Sequence, residues 1–373
     1  MSSAAAFARS AVLPSRRLLH IDALKAFAAQ MIVLHHLAAY GPIADAVQSL
    51  LPELISWLYR YARMAVQVFL VVGGFLSTRA LCERGQVLRG TVPELLWRRY
   101  LRLAPAFMAA VLLTLVCSAL VAPWLPEMAP ESVSFGQLLS HGLLLHDVLG
   151  HEALTVGAWY VAVDFQLFAM LVGLLWLARS VRRASAVLLV VAAGIASLFL
   201  FNRMPELEAW APYFFGSYSL GVLVQWLSRL RSGWLRRMGL TLLALTVLLA
   251  LALEFRERIV VAGVTALLLA LLQQRHLAGH AFLGAHRRVG NLVAKLGTRS
   301  YSLFLVHFPV CLLVNGLFAA LGWQGAVPGL VMMATAWGLS NVASVPFHRW
   351  IEQPAGRIRL GWLLPRSLRD LVA

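Results

Sequence analysis

Apolar segments of about twenty residues recur along this sequence, and short polar segments separate them. The apolar segments lack the two-residue alternation of β-strands, so their length predicts α-helices that cross a lipid bilayer. The pattern predicts ten spans, at residues 24–44, 62–82, 103–123, 158–178, 184–202, 212–228, 238–254, 258–273, 301–320 and 326–346. We therefore expect an all-α fold, a polytopic membrane bundle of about ten transmembrane helices.

The composition agrees with a membrane protein. Of the 373 residues, 60% are hydrophobic and only 13% are charged, whereas soluble domains are nearer one half and one quarter. The formal net charge of +16 would suit a nucleic-acid partner. The basic residues, however, lie between the apolar segments, as membrane orientation requires, so we expect no nucleic-acid binding.

The distribution of basic residues predicts the orientation. Ten spans place both termini on one side of the membrane, and that side receives 27 of the 32 Lys and Arg residues. The positive-inside rule then predicts that both termini are cytoplasmic. We expect a cytoplasmic N-terminal tail over 1–20, a membrane domain over 21–350 and a cytoplasmic C-terminal tail over 351–373.

The first span, within 18–37, carries ionisable residues in an apolar setting. On an α-helix, Lys25 and His36 lie within about 20° of each other around the axis and about 16 Å apart along it. One face thus places a cation at the membrane edge and an imidazole near the bilayer middle. Ionisable groups at that depth usually face a cavity, so this face predicts a functional site. The alternative is a histidine that only hydrogen-bonds a neighbouring helix.

Three arginines cluster where the predicted third span begins. Arg98, Arg99 and Arg102 lie within residues 91–107, and Arg98 and Arg102 are one helical turn apart on a shared face. Forked guanidinium groups suit a diphosphate, because each can donate two parallel hydrogen bonds to phosphate oxygens. The alternative is that these arginines anchor the helix at lipid head groups.

Further polar residues lie in later spans. Asp164, near the start of the fourth span, should pair with a cation or a histidine, or serve as a proton acceptor. His307 lies within the ninth span. Beyond the last span, Glu352 lies between Arg349 and Arg357, which indicates a cytoplasmic ion-pair cluster.

The segment at 134–158, between the third and fourth spans, contains His141, His146 and His151. Their five-residue spacing does not place them on one helix face, unlike the four-residue step of a helical two-histidine metal site. We therefore expect no metal site. An amphipathic or re-entrant segment on the outer side is the preferred interpretation, lining the route of an acceptor, and the roles of the three histidines stay open.

Six segments, taken in order, resemble motifs of the acyltransferase-3 family of multi-pass membrane acyltransferases. The family's opening pattern, L-D-x-L-R-G-x-A and a histidine after ten intervening residues, is similar to residues 21–28 followed by His36, with Lys25 in place of arginine. The other segments are 68–76, 98–105, 159–168, 300–309 and 347–354. Within them, Gly73 stands for the family's serine and Asp164 for its glutamate.

The resemblance implies transfer of an acyl group, usually acetyl, from cytoplasmic acyl-CoA to a hydroxyl of an acceptor that is often extracytoplasmic. Such acceptors include surface polysaccharides, lipid-linked sugars and some small molecules, and the enzyme would lie in the inner (cytoplasmic) membrane. Acyl-CoA is then a co-substrate, and no metal is implied. The acceptor, the acyl chain and the oligomeric state stay open.

The resemblance also implies roles for the polar residues. Residues expected to bind the acyl-CoA are Lys25, Arg98, Arg99 and Arg102. His36 would act as general base on the acceptor hydroxyl, or as a covalent acyl relay. Asp164 would orient a histidine or stabilise its cation, and His307 would polarise the carbonyl or simply pack.

Other classes of protein fit parts of the pattern. Intramembrane His and Asp residues also suit a proton-coupled transporter or a lipid or glycan translocase. Carriers commonly show internal repeats with broken helices at matching positions, and the sequence shows none. A non-catalytic assembly subunit would leave the face shared by Lys25 and His36 unexplained.

Overall fold

A computed structural model describes residues 17–82, 88, 90–179, 184–280, 282–283 and 286–356. Most of the two predicted tails, at 1–16 and 357–373, lies outside the described residues, and so does Arg357 of the expected ion-pair cluster. The same holds for four arginines of the predicted cytoplasmic loops, Arg84, Arg89, Arg182 and Arg183.

The described residues form helices and no strand. The α-helices are α1 (Leu19–Ala39), α2 (Pro42–Gln48), α3 (Pro52–Tyr61), α4 (Val66–Leu81), α5 (Val92–Val121), α6 (Phe135–Gly142), α7 (Ala158–Arg179), α8 (Ala184–Phe199), α9 (Ala211–Ser228), α10 (Gly233–Leu253), α11 (Glu257–Leu277), α12 (Arg287–Thr298), α13 (Ser300–Ala320) and α14 (Ala326–Phe347). After α14 the chain continues through a π-helical turn, His348–Glu352, and a last short turn, Gln353–Ala355.

Short 3₁₀ turns complete the connections, at Ala62–Ala65, Pro126–Met128, Phe201–Arg203 and Pro205–Leu207. The first of them joins α3 to α4, so the predicted second span lies within one helical segment, Pro52–Leu81. The predicted first span reached residue 44, but α1 ends at Ala39 because the chain turns at Gly41, whose φ of +82° favours glycine.

Eight helical segments of the described chain are long and apolar enough to cross a membrane. These segments confirm the predicted polytopic helical bundle. The other two predicted spans are the helices α1 and α9, which fall outside that set. Of the 18 residues of α9, 14 are buried against other helices, and a helix enclosed by protein needs no apolar surface for lipid. The cytoplasmic placement of the termini stays a prediction.

Glycines bring the central helices into backbone contact. A Cβ added to Gly74 of α4 would collide with the carbonyl oxygen of Tyr218 in α9, and one added to Gly221 of α9 would collide with that of Val71 in α4. Such small residues let helices in membranes approach closely. The contact fixes α4 beside α9, so that Gly73 faces the inside of the bundle.

Polar contacts fix α1 at two heights. At its start, the Arg17 Nε donates to Asp22 Oδ2 over 2.6 Å. In its middle, the Gln30 side chain bonds to Asn341 of α14 over 2.7 Å and accepts a hydrogen bond from the Trp337 indole. Gln30, a polar residue inside the first span, therefore holds α1 against α14, and the opposite face of α1 is left for the site.

Candidate active site

His36 of α1 and His307 of α13 meet in the centre of the bundle. His36 Nδ1 lies 2.8 Å from His307 Nε2, and the two rings stack with centroids 4.8 Å apart. His36 is 9% exposed and His307 is 1% exposed. The structure thus joins two histidines that the sequence places 271 residues apart.

Hydrogen bonding assigns the tautomers of this pair. His307 Nδ1 lies 3.2 Å from the carbonyl oxygen of Leu303, which can only accept, so Nδ1 carries the proton and Nε2 accepts. His36 Nδ1–H then donates to His307 Nε2. The remaining nitrogen, His36 Nε2, is unprotonated and has no hydrogen-bond partner among the described residues. The pair therefore presents one basic nitrogen.

A cavity of about 1230 Å³ leads to His36. Its inner wall includes His35, His36 and Tyr40 at the end of α1, together with Phe304 and Phe308 of α13. Its outer wall consists of loop residues within 127–132, 152–157 and 208–209. These loops lie on the side that the charge distribution predicts to be extracytoplasmic, so the basic nitrogen is reached from that side.

Asp164 of α7 pairs with Arg99 of α5. The Arg99 Nη2 to Asp164 Oδ2 distance is 2.5 Å, and the side chains are 18% and 8% exposed. The guanidinium carbon also lies 5.2 Å from the centre of the Phe168 ring. Asp164 thus has the cationic partner that was one of its predicted alternatives. It makes no hydrogen bond to a histidine in the described chain, so this geometry gives no support to a histidine-orienting role.

The four cations predicted to bind acyl-CoA separate into three environments. Arg99 is turned into the bundle. Arg98 is exposed and bonds to Glu94 over 2.5 Å, one turn earlier on the same helix. Arg102 is exposed and has no ion pair within the described residues. It interacts electrostatically with Lys25, whose Nζ lies 3.9 Å from Asp22 Oδ1. Arg102 therefore lies near both Lys25 and Arg99, and near the Glu352 carboxylate that also acts on Lys25.

Glu352 has different partners from those predicted. Its carboxylate accepts hydrogen bonds from the Ser302 hydroxyl and, over 2.8 Å, from His348 Nδ1. The expected ion pair with Arg349 is absent from the described residues, because the π-helical turn places His348 against the carboxylate. Glu352 therefore ties the end of α14 to the start of α13, the helix that carries His307.

Tyr160 is a site residue that the sequence did not single out. It lines the cavity, and its ring lies 5.3 Å from that of Phe304 and 5.8 Å from that of Phe69. The sequence could have identified Tyr160 by its position four residues before Asp164, because residues at that spacing share a helix face. Tyr160 lies between the cavity and the ion pair of Asp164.

The segment at 134–158 forms the short helix α6 and a following turn. His141 and His146 stack there, with centroids 4.2 Å apart and both side chains fully buried. His141 Nδ1 donates to the Gln137 carbonyl, and its Nε2 accepts from the Leu154 N–H. Neither ring nitrogen of His146 makes a hydrogen bond in the described residues, and its Nε2 lies 3.6 Å from Asp147 Oδ2. Burial lowers the pKa of His146 to about 4, so the ring is neutral.

No group of three or more His, Cys, Asp or Glu side chains in the described residues is arranged to hold a metal ion. The stacked His141 and His146 are both buried, and their roles stay open. Eight other residues of this segment line the cavity itself, among them the polar residues Gln137, Asp147 and Glu152.

The described chain is thus a helical membrane bundle with a histidine pair at the end of a large cavity. The acyltransferase-3 family model, described as an acyltransferase domain, matches residues 18–346, most of the chain. The chain therefore belongs to this family and is a membrane acyltransferase. No curated protein and no solved structure matches the sequence significantly.

Proposed function

We propose that this acyltransferase moves an acyl group, acetyl in the first instance, from cytoplasmic acyl-CoA to a hydroxyl of an extracytoplasmic glycan or related acceptor. The proposed location is the inner (cytoplasmic) membrane. The observation that carries the proposal is the unpartnered Nε2 of His36, a basic nitrogen that an acceptor reaches through the cavity.

The reaction follows from the tautomers. His36 Nε2 takes the proton of the acceptor hydroxyl as its oxygen attacks the thioester carbonyl carbon. The carbon–sulfur bond breaks, and the proton passes from His36 to the departing CoA sulfur. Throughout, His36 Nδ1–H stays bonded to His307 Nε2, which holds the ring in one orientation and supports its positive charge. His307 is therefore a positioning residue.

A covalent acyl-histidine intermediate would use the same nitrogen. His36 Nε2 would attack the thioester itself, and the acceptor hydroxyl would then displace the acyl group from the ring. Both routes need an unprotonated Nε2 held by His307. They differ in whether label from the donor is ever found on the protein.

Binding of the acyl-CoA donor is assigned to Lys25 and Arg102. The two cations share a region on the predicted cytoplasmic side, and Lys25 lies about 16 Å along α1 from His36. Coenzyme A is polyanionic at its nucleotide end and carries its thioester on a long pantetheine arm. We propose that these two residues hold the phosphates, while the arm extends along α1 towards His36.

The test is transfer from radiolabelled acetyl-CoA in inverted membrane vesicles. His36→Ala should lower transfer by about 10² to 10⁴, and His307→Ala should lower kcat with little change in the KM for acetyl-CoA. Arg102→Gln should raise that KM, whereas Arg98→Gln is the matched control, because Arg98 is exposed and paired with Glu94.

Protection against heat by acetyl-CoA, measured on each purified variant, separates loss of chemistry from loss of folding. Label retained on wild-type protein would identify the covalent route. Unchanged transfer by His36→Ala at normal protein levels would contradict the proposal.

A further inference from the structure

The cavity that leads to His36 has an acidic wall. Besides His35 and His36, its lining contains one arginine, Arg63, no lysine, and five acidic residues, Glu127, Glu131, Asp147, Glu152 and Glu208. The whole chain has 32 Lys and Arg residues and 16 Asp and Glu residues. The cavity lining is therefore acidic, whereas the chain as a whole is basic. Carboxylates that line a concave wall of low dielectric produce a focused negative potential.

Most of these carboxylates are free of basic partners. Glu208 lies 3.6 Å from Arg258 and Asp147 lies 3.6 Å from His146, whereas Glu127, Glu131 and Glu152 form no ion pair in the part of the chain that is described. Their charge is therefore not neutralised by the wall itself. A ligand inside the cavity would experience it.

The carboxylates do not converge on one point. No group of three or more potential metal ligands in the described residues can hold an ion, so the negative charge is spread along the wall and suits an extended organic cation. Aromatic rings at the inner end, from Tyr40, Trp159, Tyr160 and Phe304, offer faces on which a sugar ring or a cation can lie.

The inner end of the cavity contains the His36 imidazole, which is able to bind a ligand. His36 is 9% exposed, and its Nε2 has no partner in the described chain. The acidic wall and His36 line one continuous space.

We infer that the acceptor is a cationic carbohydrate, a glycan or lipid-linked sugar with free amino groups near the acylated hydroxyl. This inference rests on the proposed function and specifies its acceptor. An amino sugar places its charge against the wall carboxylates while its hydroxyl approaches His36 Nε2. A uronic acid or phosphorylated sugar is repelled by the same wall.

The test compares matched oligosaccharides as ligands of the purified protein. A glucosamine tetramer should protect the protein against thermal unfolding at concentrations about tenfold lower than its fully N-acetylated counterpart or a galacturonate tetramer. The protection should weaken as NaCl is raised, because the carboxylates at the mouth are exposed.

Two double variants test whether the wall carboxylates cause this preference for the free amine. Glu127→Gln/Glu131→Gln removes two charges from the wall and should abolish the preference for the free amine. Glu53→Gln/Glu206→Gln removes two exposed charges on the same predicted side, outside the cavity lining, and should preserve it.

Equal protection by the amine and N-acetyl tetramers, or better protection by the galacturonate tetramer, would overturn the inference. So would an unchanged preference in Glu127→Gln/Glu131→Gln. Protection by acetyl-CoA with none by the glucosamine tetramer would overturn the acceptor while leaving the proposed function in place. Absence of acetyl-CoA protection would count against both.

Discussion

The ion pair between Arg99 and Asp164 should stabilise the fold as a pair, and neither charge should be tolerated alone. At a separation of 2.5 Å, the Coulomb attraction is about 7 kcal/mol for an effective dielectric constant of about 20. Desolvation of two nearly buried groups cancels much of that energy. Removing one partner leaves the other uncompensated, and such losses are about 3–5 kcal/mol.

We expect Asp164→Leu to lower the free energy of unfolding by about 4 kcal/mol, and Arg99→Met by somewhat less. The difference arises because an isolated carboxylate can take up a proton, whereas a guanidinium cannot lose one. The double variant Arg99→Met/Asp164→Leu should recover most of the loss, since no buried charge remains.

The assay is thermal unfolding of the purified variants in detergent, combined as a double-mutant cycle. A loss of 4 kcal/mol corresponds to a midpoint shift on the order of 5 °C for a chain of this length. The control is Arg98→Met, whose exposed pair with Glu94 is worth at most about 1 kcal/mol. Single variants that match this control, or a double variant less stable than both singles, would refute the reasoning.

Two further predictions concern stability. Because burial lowers the pKa of His146 from 6.5 to about 4, the unfolded chain binds the proton first, and stability should fall by up to about 3 kcal/mol as the pH drops from 6.5 to 4. His146→Phe should remove this contribution without loss at pH 7.5, so that unfolding midpoints fall less between pH 6.5 and 4 in the variant than in the wild type. Gly73→Ser should be neutral or stabilise by about 1 kcal/mol, because its Cβ would lie 3.7 Å from Asp164 Oδ1, within reach of a hydroxyl hydrogen bond. Gly74→Ser, the matched control, should unfold the protein, since its Cβ would collide with backbone; equal midpoints for the two serine variants would contradict this.

The sequence by itself determined the class of protein and predicted where along the first helix its candidate catalytic histidine lies. Apolar segment length predicted the helices, and helical periodicity placed Lys25 and His36 on one face of the first span. Ordered motifs indicated the acyltransferase-3 family, which the match over 18–346 confirms. These properties follow from local geometry, because the rise and turn per residue of a helix are constant.

Only the tertiary structure decided which faces meet. It joined His36 to His307, paired Asp164 with Arg99, and separated three arginines that are adjacent or one turn apart in sequence. It also collected five carboxylates from separate loop positions around one cavity. Periodicity fixes the direction of a side chain relative to its own helix axis. The partner in that direction depends on how helices rotate and approach, and here backbone contact at Gly74 and Gly221 sets that approach.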